Sequence, residues 1–405
     1  MQLKFQDSDG IINKNITILV ILFREGGAVI EIQYHDKTVK RQYKDLIAFH
    51  PGYYVKEYID DQGITQEELA KRLQTSPKYV SDLVNGRINL TEEMVLKLSI
   101  VFGTSTTMWL NLNQRYIEKK LEIERKTQLD EECQLVRQLD YKFWVDQGLV
   151  KPTRVATEKV TELQRYFKVA SLKVLCQRDF LVQYRTSVSE VTDINVMNAN
   201  AWVQTAINMG SAMDVEPYDK KKLSASIPEI RSMTVQDPEQ FSPRLKELLA
   251  DCGVALVLLP NLKNCGVNGA VKWLGKDKVV LALNDRRKYA DTFWFALFHE
   301  LGHVLQQRIK VLLVSEKNKA GLETDDLIRR LEAEADTFSQ NTLIPKDEYL
   351  EFLQDNPRGF TAESITAFAE RIAILPGIVV GRLQQDQHLS FQTNLNSLKI
   401  KYTIS

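Results

Sequence analysis

The sequence predicts an α+β protein that is mostly α, and three observations carry that expectation. Apolar residues recur at helical spacing over most of the chain from Phe49 to Leu383. Runs rich in β-branched residues are confined to the amino-terminal stretch, to a short region between Val254 and Leu283, and to the extreme tail. That short region leads directly into an apolar helical stretch, Asp291 to Gln306, which contains His299-Glu300-Leu301-Gly302-His303. The changes of texture place a β-rich extension at 1–45, a helical unit at 46–118, a helical connector at 119–240, a second unit at 241–385 and a tail at 386–405.

Composition sets the outer limits. The 405 residues are 44% hydrophobic and 26% charged, as expected of a soluble chain of two or three domains. The formal net charge is zero, so no global field favours nucleic acid and any contact with DNA must be local. The apolar run Ile16–Phe23 is too short to span a bilayer and has no cleavage site, which leads us to expect a cytoplasmic protein without a membrane partner. Cys133, Cys176, Cys252 and Cys265 are scattered without C-x-x-C spacing and read as reduced thiols rather than staples or ligands.

Within residues 1–45, Ile16–Phe23 and Val29–Tyr34 read as strands separated by Glu25-Gly26-Gly27. His35-Asp36-Lys37 would turn the chain into a third strand over Thr38–Tyr43. Short helices follow from Pro51-Gly52 onward. Thr65 is a good N-cap, with Glu68 placed to close a capping box. Ser76 caps a second short helix that has Pro77 in its first turn and Gly86 just past its end. Two short helices at a tight turn, with the small Ala70 at their crossing, make a helix-turn-helix.

The second helix of such a motif enters the major groove with its amino-terminal side chains on base edges. Lys78, Tyr79 and Asp82 occupy those positions, and Gln66 and Ser76 suit phosphate or edge contacts. Lys71, Arg72, Lys78 and Arg87 form a local positive rim, although Phe49–Glu118 is not net basic. A plain helical scaffold without DNA is the competing reading.

Arg115 to about Leu139 is a mixed-charge helical stretch, the expected connector. Amphipathic helices follow, including Val160–Phe167 and Ala201–Met209, and then punctuation at Pro217-Tyr218-Asp219 and Ile227-Pro228-Glu229-Ile230. The second unit opens with a helix over Pro243–Cys252. Strands are expected at Val254–Leu259, Gly266–Trp273 and Val279–Leu283. Val267–Trp273 is either an edge that holds an extended peptide by backbone pairing or an ordinary core strand.

The helix over Asp291–Gln306 places His299 and His303 on one face, where two imidazole nitrogens can share a tetrahedral metal ion. Glu300 then overlooks the open position as a proton carrier, the H-E-x-x-H arrangement of zinc metalloproteases. The apolar neighbours Phe293, Trp294, Leu297, Phe298 and Val304 argue against two incidental histidines, because unpaired polar groups are costly in such a helix. A third ligand must come from elsewhere, and Thr324 to Asn341 forms a second helical pattern with acids along it. Glu332 and Asp336 share a face, suited to a ligand and its supporting carboxylate, while Glu334 lies nearer the apolar stripe and competes. An ordinary solvated acidic face is the bland alternative. One more helix with a Pro-Gly break covers Phe360 to Leu383, and Ser397–Ile404 alternates as a final strand.

Two resemblances attach to these residues. His299-Glu300-Leu301-Gly302-His303, Glu332-Ala333-Glu334-Ala335-Asp336-Thr337-Phe338 and Leu343-Ile344-Pro345 resemble the ImmA/IrrE metallopeptidases, as does Ile374 to Gln384. That resemblance implies a gluzincin-like domain with Zn2+ on His299, His303 and Glu332. It further implies Glu300 as base and Asp336 beside a ligand histidine. Asp336 stands where that family usually has Asn, and Ser339 where it usually has Ala.

Phe49-His50-Pro51-Gly52, Gly63 to Ala70, Val84-Asn85-Gly86 and Gly103 to Leu112 are similar to HigA-type antitoxins of the XRE helix-turn-helix class. There His50 looks structural and the Trp109-Leu110-Asn111-Leu112 segment closes the fold. Together the resemblances imply a homodimeric DNA-binding regulator that acts on an operator, including its own promoter, with a fused zinc endopeptidase that cleaves a repressor. The alternative is an antitoxin-like repressor with a cognate toxin, whose rear unit senses or binds without cutting.

Overall fold

The computed structural model describes residues 40–44, 46–177, 180, 192–284, 288–307 and 322–402. The strands expected at Ile16–Phe23 and Val29–Tyr34, with the turn at His35-Asp36-Lys37, lie outside the described residues. Contacts divide the chain into two compact units, Met1–Thr127 and Gln128–Ser405.

In the first unit, β1 (Lys40–Tyr43) and β2 (Leu46–Phe49) form an antiparallel hairpin with Lys40 opposite Phe49. The expected boundary at 45 therefore cuts a hairpin. Tyr43 and Leu46, on either side of that line, pack together with Ala48 against Tyr116 and Ile123. Helices α1 (Gly52–Gln62), α2 (Gln66–Arg72), α3 (Pro77–Val84) and α4 (Glu92–Phe102) follow. Then comes α5 (Thr106–Val136), a single helix of 31 residues. The boundary expected at 118 falls inside α5. Ser105 caps its first turn by accepting from the Met108 N–H at 3.1 Å, and no Gly or Pro interrupts the next thirty positions. Val55, Leu69, Leu73, Val80, Leu83, Leu98 and Trp109 make the core of this unit.

The second unit is built on a three-stranded sheet of order β3-β5-β4. β3 (Val254–Leu259) is parallel to β5 (Lys278–Asn284), and β4 (Gly269–Leu274) is antiparallel to β5 at the sheet edge. Alternation along β3 and β5 sends side chains to two cores. On one face Val254, Leu256, Val279, Leu281 and Leu283 pack with Trp294, Leu297, Phe298 and Leu301 of α11 (Ala290–Gln306). On the other, Ala255, Val257, Val280 and Ala282 pack with Met197, Ala201, Trp202 and Ala206 of α8 (Asp193–Ala212). A Cβ on Gly210 would sit 2.6 Å from a Val280 methyl, so α8 lies hard against the sheet. The boundary expected at 240 is therefore no gap in packing, because α6 (Tyr141–Asp146), α7 (Ala156–Phe167) and α8 share the core of one sheet face.

Two prolines expected to punctuate or open helices instead sit inside them, Pro228 in α9 (Lys220–Ser232) and Pro243 in α10 (Pro238–Ala250). Both are exposed, where a carbonyl that loses its N–H partner costs less than it would in the core. Beyond α11 lie α12 (Leu322–Leu343), α13 (Lys346–Asp355), α14 (Ala362–Arg371) and α15 (Pro376–Gln385). The break at Pro376-Gly377 turns α15 by 111° from α14, and Ile365, Phe368, Ile378 and Leu383 of that pair enter the core. No single helix among the described residues is long and apolar enough to cross a membrane.

Over the described part of the strand expected at Ser397–Ile404 no strand forms, because Asn394–Leu398 winds into a 3-10 turn. What remains is a one-bridge clasp, Tyr289 to Lys401, with the Ala290 N–H on the Ile400 carbonyl at 2.9 Å. Tyr402 is buried, and its hydroxyl accepts from the Trp294 indole at 3.0 Å. All four cysteines are free thiols, in line with the sequence reading.

Candidate functional site

The site arises where α11 meets α12. A Cβ on Gly302 would lie 3.2 Å from Ala335 Cα and from the Phe338 ring, so the bare glycine lets the helices approach. The Ser339 hydroxyl reinforces the contact by donating to the Phe295 carbonyl at 2.9 Å. This is a use for Ser at a position where the resembling family usually has Ala. With Ala335 fully buried at the crossing, helical geometry turns Glu332 and Asp336 toward the histidines.

Three ligand-type side chains converge there. His299 Nε2 and His303 Nε2 are 3.0 Å apart, and the Glu332 carboxylate oxygens lie 3.4 and 3.3 Å from them. Tetrahedral donors about 2.0–2.1 Å from a zinc ion are separated by about 3.3 Å, so the spacing and chemistry of His299, His303 and Glu332 fit that ion. Glu334, the competing acid, is exposed and meets the Gln306 amide at 3.4 Å. Of the two acids, Glu332 is the one brought to the histidines.

Each imidazole is held from behind. Asp336 Oδ1 lies 2.8 Å from His299 Nδ1, the supporting position expected for it. Gln306 Oε1 lies 3.1 Å from His303 Nδ1, a partner the sequence reading missed. Burial lowers the pKa of His299, but its hydrogen bonds to the Asp336 and Glu332 carboxylates and the nearby charge of Glu300 outweigh it and push the pKa up to about 9. Burial opposes protonation of His303 too, and Glu332 and Glu300 raise it on balance. Glu332 itself is held well below the usual carboxylate range, its burial overcome by the two imidazoles.

Glu300 is buried one residue from the first histidine. A Cβ on Gly269 would come within 2.6 Å of its carboxylate, so only glycine at that point of β4 lets the strand pass the acid. Among the described residues β4 lies at the edge of its sheet, the position that the first of the two readings for Val267–Trp273 requires. An edge strand therefore runs beside a buried acid next to a three-donor cluster.

The first unit carries the other candidate surface. Thr65 accepts from the Glu68 N–H at 3.1 Å, and Ser76 from the Tyr79 N–H at 3.1 Å, so both caps form. The reciprocal half of the expected capping box is replaced, because the Glu68 carboxylate pairs with Arg72 one turn on. Lys78 projects to solvent and Gln66 is half-exposed, as base or phosphate contacts require. Tyr79 departs from the expected role: it packs against the unit's core with its hydroxyl enclosed. Asp82 is half-buried and faces Arg87 at 3.5 Å, and the Ser76 hydroxyl is engaged as a cap. His50 is structural, since its buried Nδ1 accepts from the Gly52 N–H at 3.0 Å. Trp109 closes the unit, donating to Thr104 at 2.9 Å.

Comparison with known proteins bears on the first unit. The helix-turn-helix family profile matches residues 55–109. The Escherichia coli (strain K12) protein described as the uncharacterized HTH-type transcriptional regulator YddM is 35% identical over 83 residues, 20% of this chain and 88% of that one. Virulence-associated protein I of Dichelobacter nodosus is 30% identical over 84 residues, 20% of this chain and 78% of its own. Among solved structures, an addiction module antidote protein of a HigA family from Coxiella burnetii is 28% identical, covering 21% of this chain and 94% of that one, with a TM-score of 0.19.

Proposed function

Since the chain belongs to the helix-turn-helix transcriptional regulators through residues 55–109, we propose that it is a cytoplasmic DNA-binding regulator carrying a zinc-dependent endopeptidase. The observation that carries the second half is the convergence of His299, His303 and Glu332 beside the buried Glu300. The peptidase acts on a protein substrate, a repressor, while the first unit binds an operator, its own promoter included, as a two-fold dimer.

Zinc held by those three side chains supplies a Lewis acid for a scissile carbonyl and makes water a better nucleophile near neutral pH. The chain's own residues do the rest. Glu300 accepts a proton from the attacking water and returns it to the leaving amine. Burial of its carboxylate next to two histidines keeps bulk water from competing. β4, at the edge of the sheet among the described residues, offers a backbone along which an extended peptide can lie across the site. Lys78 and Gln66 supply contacts to bases and phosphates.

The test combines metal analysis with cleavage. Purified protein should hold about one zinc per chain, and wild type should cut a repressor encoded at the same locus. Glu300→Gln should keep its zinc and cut nothing. Absence of zinc after zinc-supplemented expression would remove the peptidase reading.

A second reading is supported by the relatives' size. The HTH-type regulator from Escherichia coli is 88% covered by a fifth of this chain, so the first unit alone is nearly a whole regulator. The rear unit would then sense or bind, with a cognate toxin as partner. Zinc retained without cleavage by wild type would favour it.

A further inference from the structure

We infer that Gln306 is the residue that positions His303 for metal, by fixing which ring nitrogen carries its hydrogen; this rests on the metal reading proposed above. Leu331 O is a carbonyl, so it can only accept, and it lies 2.9 Å from one end of the Gln306 amide. That end must therefore be the NH2 group, which leaves the amide oxygen facing His303 Nδ1 at 3.1 Å. An oxygen without hydrogens forces Nδ1 to be the donor. The Nε2 lone pair is thereby directed to the cluster, where His299 Nε2 and Glu332 converge.

The two ligand histidines are thus held by different means. His299 leans on the carboxylate of Asp336, supplied by α12. His303 leans on a neutral amide from its own helix, one turn on, and that amide is locked by the backbone of the residue just before Glu332. Gln306 consequently sets one ligand and fixes the register of another at the same time. The amide also touches Glu334 at 3.4 Å, which gives the otherwise exposed acid a place in the arrangement.

Two variants separate orientation from tethering. Gln306→Glu keeps an oxygen for His303 Nδ1 but loses the donor to Leu331, whereas Gln306→Leu loses both. Zinc affinity is read by competition with a chromophoric chelator. Melting of the chelated proteins reports any purely structural effect, and nitrogen-15 shifts of the His303 ring report the tautomer.

Gln306→Leu should bind zinc roughly 10–100-fold more weakly than wild type, with the metal-free melting point little changed. Gln306→Glu should retain wild-type affinity to within about threefold, because orientation of the ligand is what matters most. In the zinc-loaded proteins, where the ring is neutral, wild-type His303 should carry its hydrogen on Nδ1, and Gln306→Leu should show a mixture. Equal losses in both variants would overturn the inference in favour of tethering alone, and so would unchanged zinc affinity in Gln306→Leu. Failure of wild type to bind zinc would instead overturn the reading on which it rests.

Discussion

Removing the Glu332 carboxylate should abolish zinc binding while removing that of Glu334 leaves it nearly intact, although the two residues are only two positions apart. Glu332 places both oxygens within 3.4 Å of the histidine nitrogens, whereas Glu334 meets the Gln306 amide at 3.4 Å. Loss of a supporting partner such as Asp336 costs roughly 10–100-fold in metal affinity, and loss of a ligand should exceed the upper end of that range. In free-energy terms that is more than about 2.7 kcal/mol.

The effect is visible without any substrate. At free zinc 100-fold above its dissociation constant, wild type gains about 2.7 kcal/mol of stability, a rise in melting temperature of roughly 5 °C. Under the same conditions Glu332→Ala, with affinity weakened at least as much, should gain only about 0.4 kcal/mol or less. Asp336→Ala should fall between, and Glu334→Ala should melt like wild type. The assay is a zinc titration of the melting temperature against a chelated control. A zinc-induced rise that survives in Glu332→Ala and vanishes in Glu334→Ala would refute the ligand set and the packing argument behind it.

Four further outcomes can be checked. The His299 pKa, raised from 6.5 to about 9, means that stability gained by metal-free protein below pH 6.5 is lost as pH climbs toward 9; chelated protein should show that fall in melting temperature and zinc-loaded protein should not. Gly269→Ala should push the Glu300 carboxylate aside, since the added carbon would lie 2.6 Å from it; zinc should stay bound while cleavage drops roughly 100-fold. Gly52→Ala would put a carbon 1.8 Å from the Leu83 carbonyl oxygen, so the first unit should lose about 2 kcal/mol or more in chemical denaturation. Lys78→Ala should weaken operator binding in gel shifts by roughly 1–3 kcal/mol if the side chain reads a base; a uniform loss across sequences, with a shallower salt dependence, would assign it to phosphate instead.

What the sequence disclosed was local or periodic. The caps at Thr65 and Ser76, the histidine pair and the shared face of Glu332 and Asp336 follow from spacing along one element, and each forms. What it withheld depends on a distant atom. Gln306 finds a backbone carbonyl on another helix, and no side-chain pattern encodes that acceptor. Gly269 matters only because β4 passes Glu300. Tyr79 has the right position for a reader yet turns inward, since an amphipathic side chain goes where apolar neighbours lie. The line at 240 crosses a shared core for a related reason: α8 reads as one helix among several until the sheet face it covers is seen.

The clasp between Tyr402 and the start of α11 also has a consequence for the order of events during synthesis. Trp294 leaves the ribosome 108 residues before Tyr402 (402 − 294), the residue whose hydroxyl receives its indole hydrogen. At about 5–20 residues per second that interval lasts roughly 5–20 s. Throughout it, Phe241, Phe293 and Trp294 lack the ring that completes their cluster. The helix-turn-helix unit, complete by Thr127, has by then had time to fold. The nascent chain therefore acquires its helix-turn-helix unit first, and the helix bearing His299 and His303 is secured at its amino-terminal end only after residue 402 has been added.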